Sequence, residues 1–344
     1  MVRHRRTTLE DVARAAGVGV ATVDRVLHAR ASVTPATAAR VMAAAKATGY
    51  HGKAILKRRI AELAPACRFG FLLQKEGKWV YQRLAEQLRN ATLARKDVRA
   101  DPLFSFVGSL SATRLAEEIT RLGSEVDALA IVSIENPAVS AAVDECASRG
   151  VAVYALLSPI SAKGLAGYIG MDGLQAGRAA GWAMSRLARP EGDIGVLVGS
   201  QRYLGQLMNE RGFRDAMSRY APDRVLREPL IYLDDEAVVL ETAQELLARS
   251  GDLAGIYHSG GGVGGVARAL EASGRAGEIT YICHSRSPES EAALRSGVAD
   301  IVISGSFSQM AQNVAACMAQ SVTVGQPVPP PKPERFEFLT IENL

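Results

Sequence analysis

Apolar positions recur at two different spacings along this chain. Between residues 7 and 50 they fall three and four apart: Leu9, Val12, Ala13 and Ala16, then Val23, Val26 and Leu27, then Val41, Ala44 and Ala45. That is the repeat of one helix face. Thr7 is placed to cap the first helix, with Glu10 three residues on as in a capping box. Gly17 is expected to end it. A second helix is expected over residues 19–27. A third starts at Thr34-Pro35, a cap followed by proline at the first helical position, and stops near Gly49.

After residue 66 the pattern changes. Short β-branched runs alternate with amphipathic stretches. Strands are expected at 68–74, 103–107, 128–133, 151–157, 167–170, 194–199, 225–232, 255–258, 279–284 and 301–304. Helical patterns fill most gaps, including 79–95, 137–149, 173–187, 235–250, 263–273 and 309–321. A tail with Pro327, Pro329, Pro330, Pro331 and Pro333 reads as an extended connector, with a last strand over 334–341. Strands alternating with helices imply parallel sheets covered by helices. About ten strands exceed one comfortable sheet. The reading is therefore two Rossmann-like lobes, with chain crossings near 160–170 and 300–308. The expected organisation is an all-α headpiece (1–50), a linker (51–66) and an α/β two-lobed body (67–344).

Three short helices with a glycine-bearing first turn make a helix-turn-helix. Its second helix is expected in the major groove of double-stranded DNA. Val20 and Ala21 are placed for apolar contacts such as a thymine methyl, and Arg25 for guanine O6 and N7. Thr22 is expected on phosphate, and Thr8, His28, Thr34 and Tyr50 complete the expected DNA face.

Charge supports that partner. The 344 residues net +4, but residues 1–60 hold 12 Lys and Arg against 3 Asp and Glu, a net of +9. The other 284 hold 28 against 33, a net of −5. A basic head on a mildly acidic body points to a polyanion at the head. No stretch reaches the roughly 20 apolar residues of a membrane helix. The basic N-terminus has no apolar core behind it, so a secretory signal is not expected and the cytoplasm is the expected location. Cys67, Cys146, Cys283 and Cys317 are scattered and read as buried thiols.

Ligands of open α/β sheets sit beyond the carboxyl ends of the strands. Two facing lobes make a cleft there. The polar or aromatic residues just after the strands are Lys75, Glu76, Trp79, Glu135, Asn136, Ser158, Asp172, Tyr203, His258 and His284. Charged and amide side chains around hydroxyls, with an aromatic ring nearby, are what a sugar would need.

The stretch Leu9-Glu10-Asp11-Val12-Ala13-Arg14-Ala15-Ala16-Gly17-Val18, then Ala21–Leu27, Val33-Thr34-Pro35 and Gly49-Tyr50, resembles the lactose-repressor (LacI) family. Asp24 departs from that family's usual Ser. The resemblance continues at Gly170-Met171-Asp172, Ala176-Gly177-Arg178, Glu210–Arg214 and Ser259–Gly262. These segments are also similar to periplasmic sugar-binding proteins. The resemblance implies a body of the periplasmic-binding-protein type I fold, a homodimer on an operator, and a small-molecule effector, with no cofactor. It makes Asp172 the match to the family's ligand-binding acid. It also implies a hinge helix whose leucine wedges into the minor groove. Here Gly52 replaces the usual proline and Arg59 stands where the leucine belongs. Leu56 and Ile60 are the apolar alternatives, Arg59 a cationic one, and a flexible basic linker a third. In the body, Asn209 stands where the family commonly has Arg. Val263 replaces a common Asn, and Ser285 and Ser304 replace acids. The effector is then something other than a plain pentose or hexose, or the site has been retuned.

Enzyme readings find little. Residues 260–265 satisfy Gly-x-Gly-x-x-Gly, but no GxxxxGK[ST], GxSxG or HExxH occurs, so catalysis is not expected. Two rivals stay open: an exported solute binder, and a DNA-binding dimer whose body has lost its effector.

Overall fold

The computed structural model describes residues 7–28, 33, 35–50 and 64–344. The headpiece holds helices α1 (Leu9–Ala16), α2 (Val20–His28) and α3 (Pro35–Ala47). Its first cap lies one residue later than the periodicity implies. Thr8 Oγ1 accepts from Asp11 N at 3.4 Å, and the Asp11 carboxylate accepts from Thr8 N at 3.0 Å. Thr7 is used elsewhere: its hydroxyl donates to Thr48 O at 2.8 Å, tying the start of the headpiece to the end of α3. Gly17 closes α1 in the left-handed region, φ 62°. Arg40 then donates to Ala16 O and Gly17 O, both at 3.1 Å, placing a cation on the negative end of α1. Val12, Ala13, Val23, Val26, Val41 and Ala45 form the core beneath, together with Tyr50.

The first lobe contains β1 (Ala66–Gln74), α4 (Trp79–Leu93), β2 (Arg99–Val107), α5 (Ala112–Gly123), β3 (Ala128–Ile131), α6 (Pro137–Ser148), β4 (Ala152–Leu156) and β5 (Leu165–Ile169). Its sheet is parallel, in the order β2-β1-β3-β4-β5. Alternation along β1 sends Phe69, Phe71 and Leu73 to one core and Leu72 to the other. The second lobe contains α7 (Gly173–Leu187), β6 (Asp193–Val198), α8 (Leu204–Tyr220), β7 (Leu230–Ile231), α9 (Glu236–Arg249), β8 (Leu253–Ser259), α10 (Val263–Ala272), β9 (Thr280–His284), α11 (Pro288–Arg295) and β10 (Ile301–Gly305). The chain then returns to the first lobe as α12 (Phe307–Val324), where Met310, Val314 and Met318 join the Phe69 core. It ends in the second lobe as β11 (Phe336–Leu339), antiparallel on β10, in a sheet ordered β11-β10-β9-β8-β6-β7.

Two expectations need correction. The strand expected over 225–232 shrinks to β7 plus one bridge, Leu226 to Ile194. Pro229 has no N–H to give a ladder, which interrupts pairing between the two. The lobes are joined by three passes of chain, not two: at 170–172, at 305–306 and through the proline-rich 325–335. The first and third pair with each other, Glu334 N donating to Gly170 O at 2.9 Å. Among the described residues no helix is long and apolar enough to cross a membrane. The four cysteines are buried and unpaired.

Helices α7 and α8 lie backbone against backbone. A Cβ at Gly177 would overlap Asn209 O, and one at Gly212 would overlap Leu174 O. Gly212→Ala should therefore destabilise by at least about 2 kcal/mol, since neither helix can retreat without unpacking its sheet. Gly251→Ala, whose added Cβ meets open space, should stay within about 0.5 kcal/mol. Urea denaturation of the two variants checks the contrast.

The third crossing carries a buried carboxyl. Glu334 Oε1 accepts from Asn313 Nδ2 at 3.2 Å, while Oε2 has no hydrogen-bond partner among the described residues. Burial pushes its pKa up to about 7. The folded state therefore holds this proton more tightly than the unfolded chain. Its stabilising contribution is complete below the ordinary carboxyl range and is lost as pH rises through about 7. Glu334→Gln should match wild type near pH 4 and exceed its stability by about 3 kcal/mol near pH 8. Denaturation curves of both proteins at the two pH values test this.

Candidate functional site

The headpiece presents α2 outward. Val20 is 43% exposed, Ala21 and Arg25 are exposed and Thr22 is half-buried. Arg25 Nε donates to Ala21 O at 3.2 Å, which lays the guanidinium along the outer face of its own helix. Thr8 is exposed but spends its hydroxyl on the cap of α1. Tyr50, expected at the DNA, is buried in the headpiece core with Val12, Val41 and Ala45. His28 is the last residue of α2. Thr34, Leu56, Ile60 and Arg59 lie outside the described residues.

The body has a cavity of about 390 Å³ between the lobes. Of the residues expected there, Lys75, Trp79, Ser158, Tyr203, Asn209, Val263, His284 and Ser285 line it. Glu135, Asn136 and Asp172 do not, and each has other work. Glu135 accepts from Ser161 N at 2.8 Å. Asn136 caps α6 through Ala138 N at 2.9 Å, and Asp172 caps α7 through Gln175 N at 3.0 Å. Glu76 is exposed outside the cavity. Ser304 lines an adjoining recess of about 750 Å³, where its Oγ accepts from Arg286 N at 3.2 Å.

Backbone strain marks the cavity more sharply than side-chain type does. Among the described residues, the non-glycine positions with left-handed backbone are Lys75, Leu157, Leu233, Asp234 and Ser285. All but Leu233 line the cavity. Each sits at the carboxyl end of a strand, and each conformation costs on the order of 1 kcal/mol. Such strain persists only where the surroundings impose it, and it gathers at ligand sites.

Polar contacts cross the cavity. Lys75 Nζ and Lys78 Nζ, from the first lobe, both donate to Asp234 O in the second, at 2.9 Å each. The Asp234 carboxylate accepts from Gly261 N at 3.3 Å and Gln206 Nε2 at 3.4 Å. Ser158 Oγ accepts from Gly205 N at 3.1 Å. Asn209 Nδ2 donates to Ser259 Oγ at 3.2 Å, which holds its amide at the cavity wall. Lys78, Gln206, Asp234 and Gly261 were not expected from the sequence. Asp234 follows a two-residue strand with no readable period, and the others gain meaning only through it.

Beneath the glycine loop runs a buried chain of rings. Tyr232 OH donates to Gly261 O at 2.5 Å, and since a carbonyl only accepts, His258 Nε2–H must donate to the Tyr232 oxygen at 2.7 Å. His258 Nδ1 then accepts from Tyr281 OH at 2.8 Å. Burial lowers the His258 pKa to about 3, so the ring is neutral, as this pattern requires. His258 thus supports the wall from behind and does not line it. His284 is different. Its Nε2 pairs with Tyr257 OH at 2.8 Å, but Nδ1 has no partner among the described residues, and the residue lines the cavity. Burial lowers its pKa to about 4, so it meets a ligand as neutral imidazole. Among the described residues no cluster of His, Cys, Asp or Glu could hold a metal ion.

The family model described as bacterial regulatory proteins, lacI family, matches residues 8–52. The periplasmic binding protein domain model matches residues 105–327. No curated protein matches the chain. Solved structures match the body. A solute-binding protein of an Agrobacterium vitis ABC transporter, bound with α-D-tagatopyranose, is 17% identical with a TM-score of 0.72, covering 80% of this chain and 95% of that one. A glucose-galactose binding protein from Geobacillus stearothermophilus is 19% identical with a TM-score of 0.71, covering 80% and 99%. A Burkholderia graminis solute-binding protein in complex with D-arabinose is 18% identical with a TM-score of 0.71, covering 80% and 95%. At these identities the likeness establishes a shared two-lobed fold. A DNA-reading headpiece set ahead of such a body, in this order on one chain, makes the protein a member of the lacI family of bacterial regulatory proteins.

Proposed function

We propose that this protein is a cytoplasmic transcriptional repressor that binds its operator as a homodimer and releases it, or grips it, according to a sugar-like effector held between the lobes. The observation that carries the reading is the cavity. It is ringed by strained strand ends and lined by amide, hydroxyl, imidazole and aromatic groups. The similar solved structures hold tagatose or arabinose, which fits such a lining. One headpiece covers a half-site, so two are needed for a near-palindromic operator.

The effector acts by stabilising one arrangement of the lobes. Their three connections, Glu334–Gly170 pairing included, are the hinge about which that arrangement changes. The linker at 51–66 passes the change to the headpieces of the dimer. The coupling equals the effector's difference in affinity for the two arrangements, typically 1–3 kcal/mol, and DNA must alter effector affinity by the same factor. Asp172, capping α7 at the first crossing, acts on this hinge, while Asn209 faces the effector.

Arg25→Ala should cost about 1–3 kcal/mol of operator affinity and relax preference at one position of each half-site. Operator variants titrated against both proteins decide it; equal weakening on every sequence would make Arg25 a phosphate contact instead. Deletion of residues 1–60 should abolish operator binding while leaving the body folded.

Asn209→Ala should weaken effector binding about tenfold or more. Operator affinity without effector should stay within about twofold. Thermal shift against D-tagatose, D-fucose, D-arabinose and their acid and phosphate derivatives identifies the effector. A compound at 100 times its Kd adds about 2.7 kcal/mol of stability. A bound sugar that leaves operator affinity untouched would overturn the coupling.

A further inference from the structure

The two lysines at the cavity point to the chemistry of its occupant. We infer that the effector is a polyhydroxylated anion, a sugar acid or a sugar phosphate, whose charged group is held by Lys75 and Lys78. This rests on the reading of the cavity as an effector site.

Both ammonium groups converge on one neutral acceptor, Asp234 O, so each stands in the other's Coulomb field. Neither lysine has a carboxylate within ion-pair distance among the described residues. The Asp235 carboxylate does feel both cations, but its oxygen is committed to Ala237 N at 2.9 Å and Val238 N at 3.2 Å as the cap of α9. The Asp234 carboxylate makes its hydrogen bonds with Gly261 N and Gln206 Nε2 instead. An ammonium has three N–H donors, and Asp234 O takes one from each. The remaining donors are half-buried at the cavity wall, where an anion between them would relieve the like-charge repulsion. Lys75 is also one of the strained left-handed residues, φ 26°, so the fold holds this cation in place against local preference.

The rest of the wall suits the hydroxyls. Glu236 and Glu289 line the cavity beside Gly264, at the start of α10, and can only accept from hydroxyls while ionised. Their negative charge repels an anion beside Gly264, against the pull of the helix start, and leaves the lysines as its place. His284 Nδ1, buried and unpartnered at the cavity, offers one further polar contact. The cavity wall thus offers cations at Lys75 and Lys78 and acceptors at Glu236 and Glu289, which matches a molecule with an anionic end and a hydroxylated body.

The test is calorimetric titration of the full-length protein with three matched sets. These are D-galactose with D-galacturonate and D-galactose 6-phosphate, D-arabinose with D-arabinonate and D-arabinose 5-phosphate, and D-tagatose with D-tagatose 6-phosphate. The expected result is that an acid or a phosphate binds at least about tenfold tighter than its neutral parent, an advantage that shrinks with added salt. Which of the two binds identifies the source of the charge. Lys78→Gln and Lys75→Gln should each remove most of that advantage, weakening the anion about tenfold more than its neutral parent. Lys78→Arg should retain it. Neutral parents that bind as tightly as their anions would overturn the inference while leaving the effector site standing. So would lysine variants that weaken both equally, since that outcome makes Lys75 and Lys78 a bridge between lobes and nothing more. Binding of no sugar, charged or neutral, would instead overturn the effector reading itself.

Discussion

The helices of residues 173–187 and 204–220 touch backbone to backbone, because Gly177, Gly181 and Gly212 leave no side chain between them. Much of the second lobe depends on that contact. It sets how far the chain can travel after its first crossing at 170–172. It brings Asn209 against Gly173, so that an amide reaches the cavity from a helix that would otherwise stand off. Phe213, one residue beyond the glycine, then stacks on Tyr257 with ring centroids 4.0 Å apart. That stack fixes the ring whose hydroxyl orients His284. One close approach thus places two polar groups of the cleft, through steps that are all ordinary packing.

The cavity is built at the cost of local backbone comfort. Lys75, Leu157, Asp234 and Ser285 occupy conformations that glycine would adopt freely. Glycine would hold those turns with less strain but could not supply an ammonium, a carboxylate or a hydroxyl. The sheets on either side, with their fully buried Phe, Leu and Tyr side chains, are stable enough to impose the strain. The result is a cleft whose strand ends are held in place by the buried sheets behind them.

The headpiece was legible because its signals are local. Helical spacing and a Thr-x-x-acid pair identify α1, and the error of one residue arises because two threonines and two acids adjoin there. The two lobes were legible from alternation. The cleft was legible in part. Polar residues after strands were the right place to look, but the same junctions also start helices. A capping residue such as Asn136 or Asp172 has the same address and chemistry as a ligand contact, and only the fold separates them. Tyr50 shows the same limit in the headpiece, where an aromatic beside a basic linker proves to be core. Asp234 and the lysines that meet it are more than 150 residues apart, and no periodicity links them.

The ring chain from Tyr281 through His258 and Tyr232 to Gly261 O has an implication for how this protein can diverge. The shape of the glycine loop is supported from inside the sheet, by groups that do not line the cavity. Lining residues away from that support, such as the exposed Trp79, can therefore be exchanged without dragging the loop along. A lineage carrying this core could switch from one metabolite to another by few substitutions, with the frame of the cleft inherited intact.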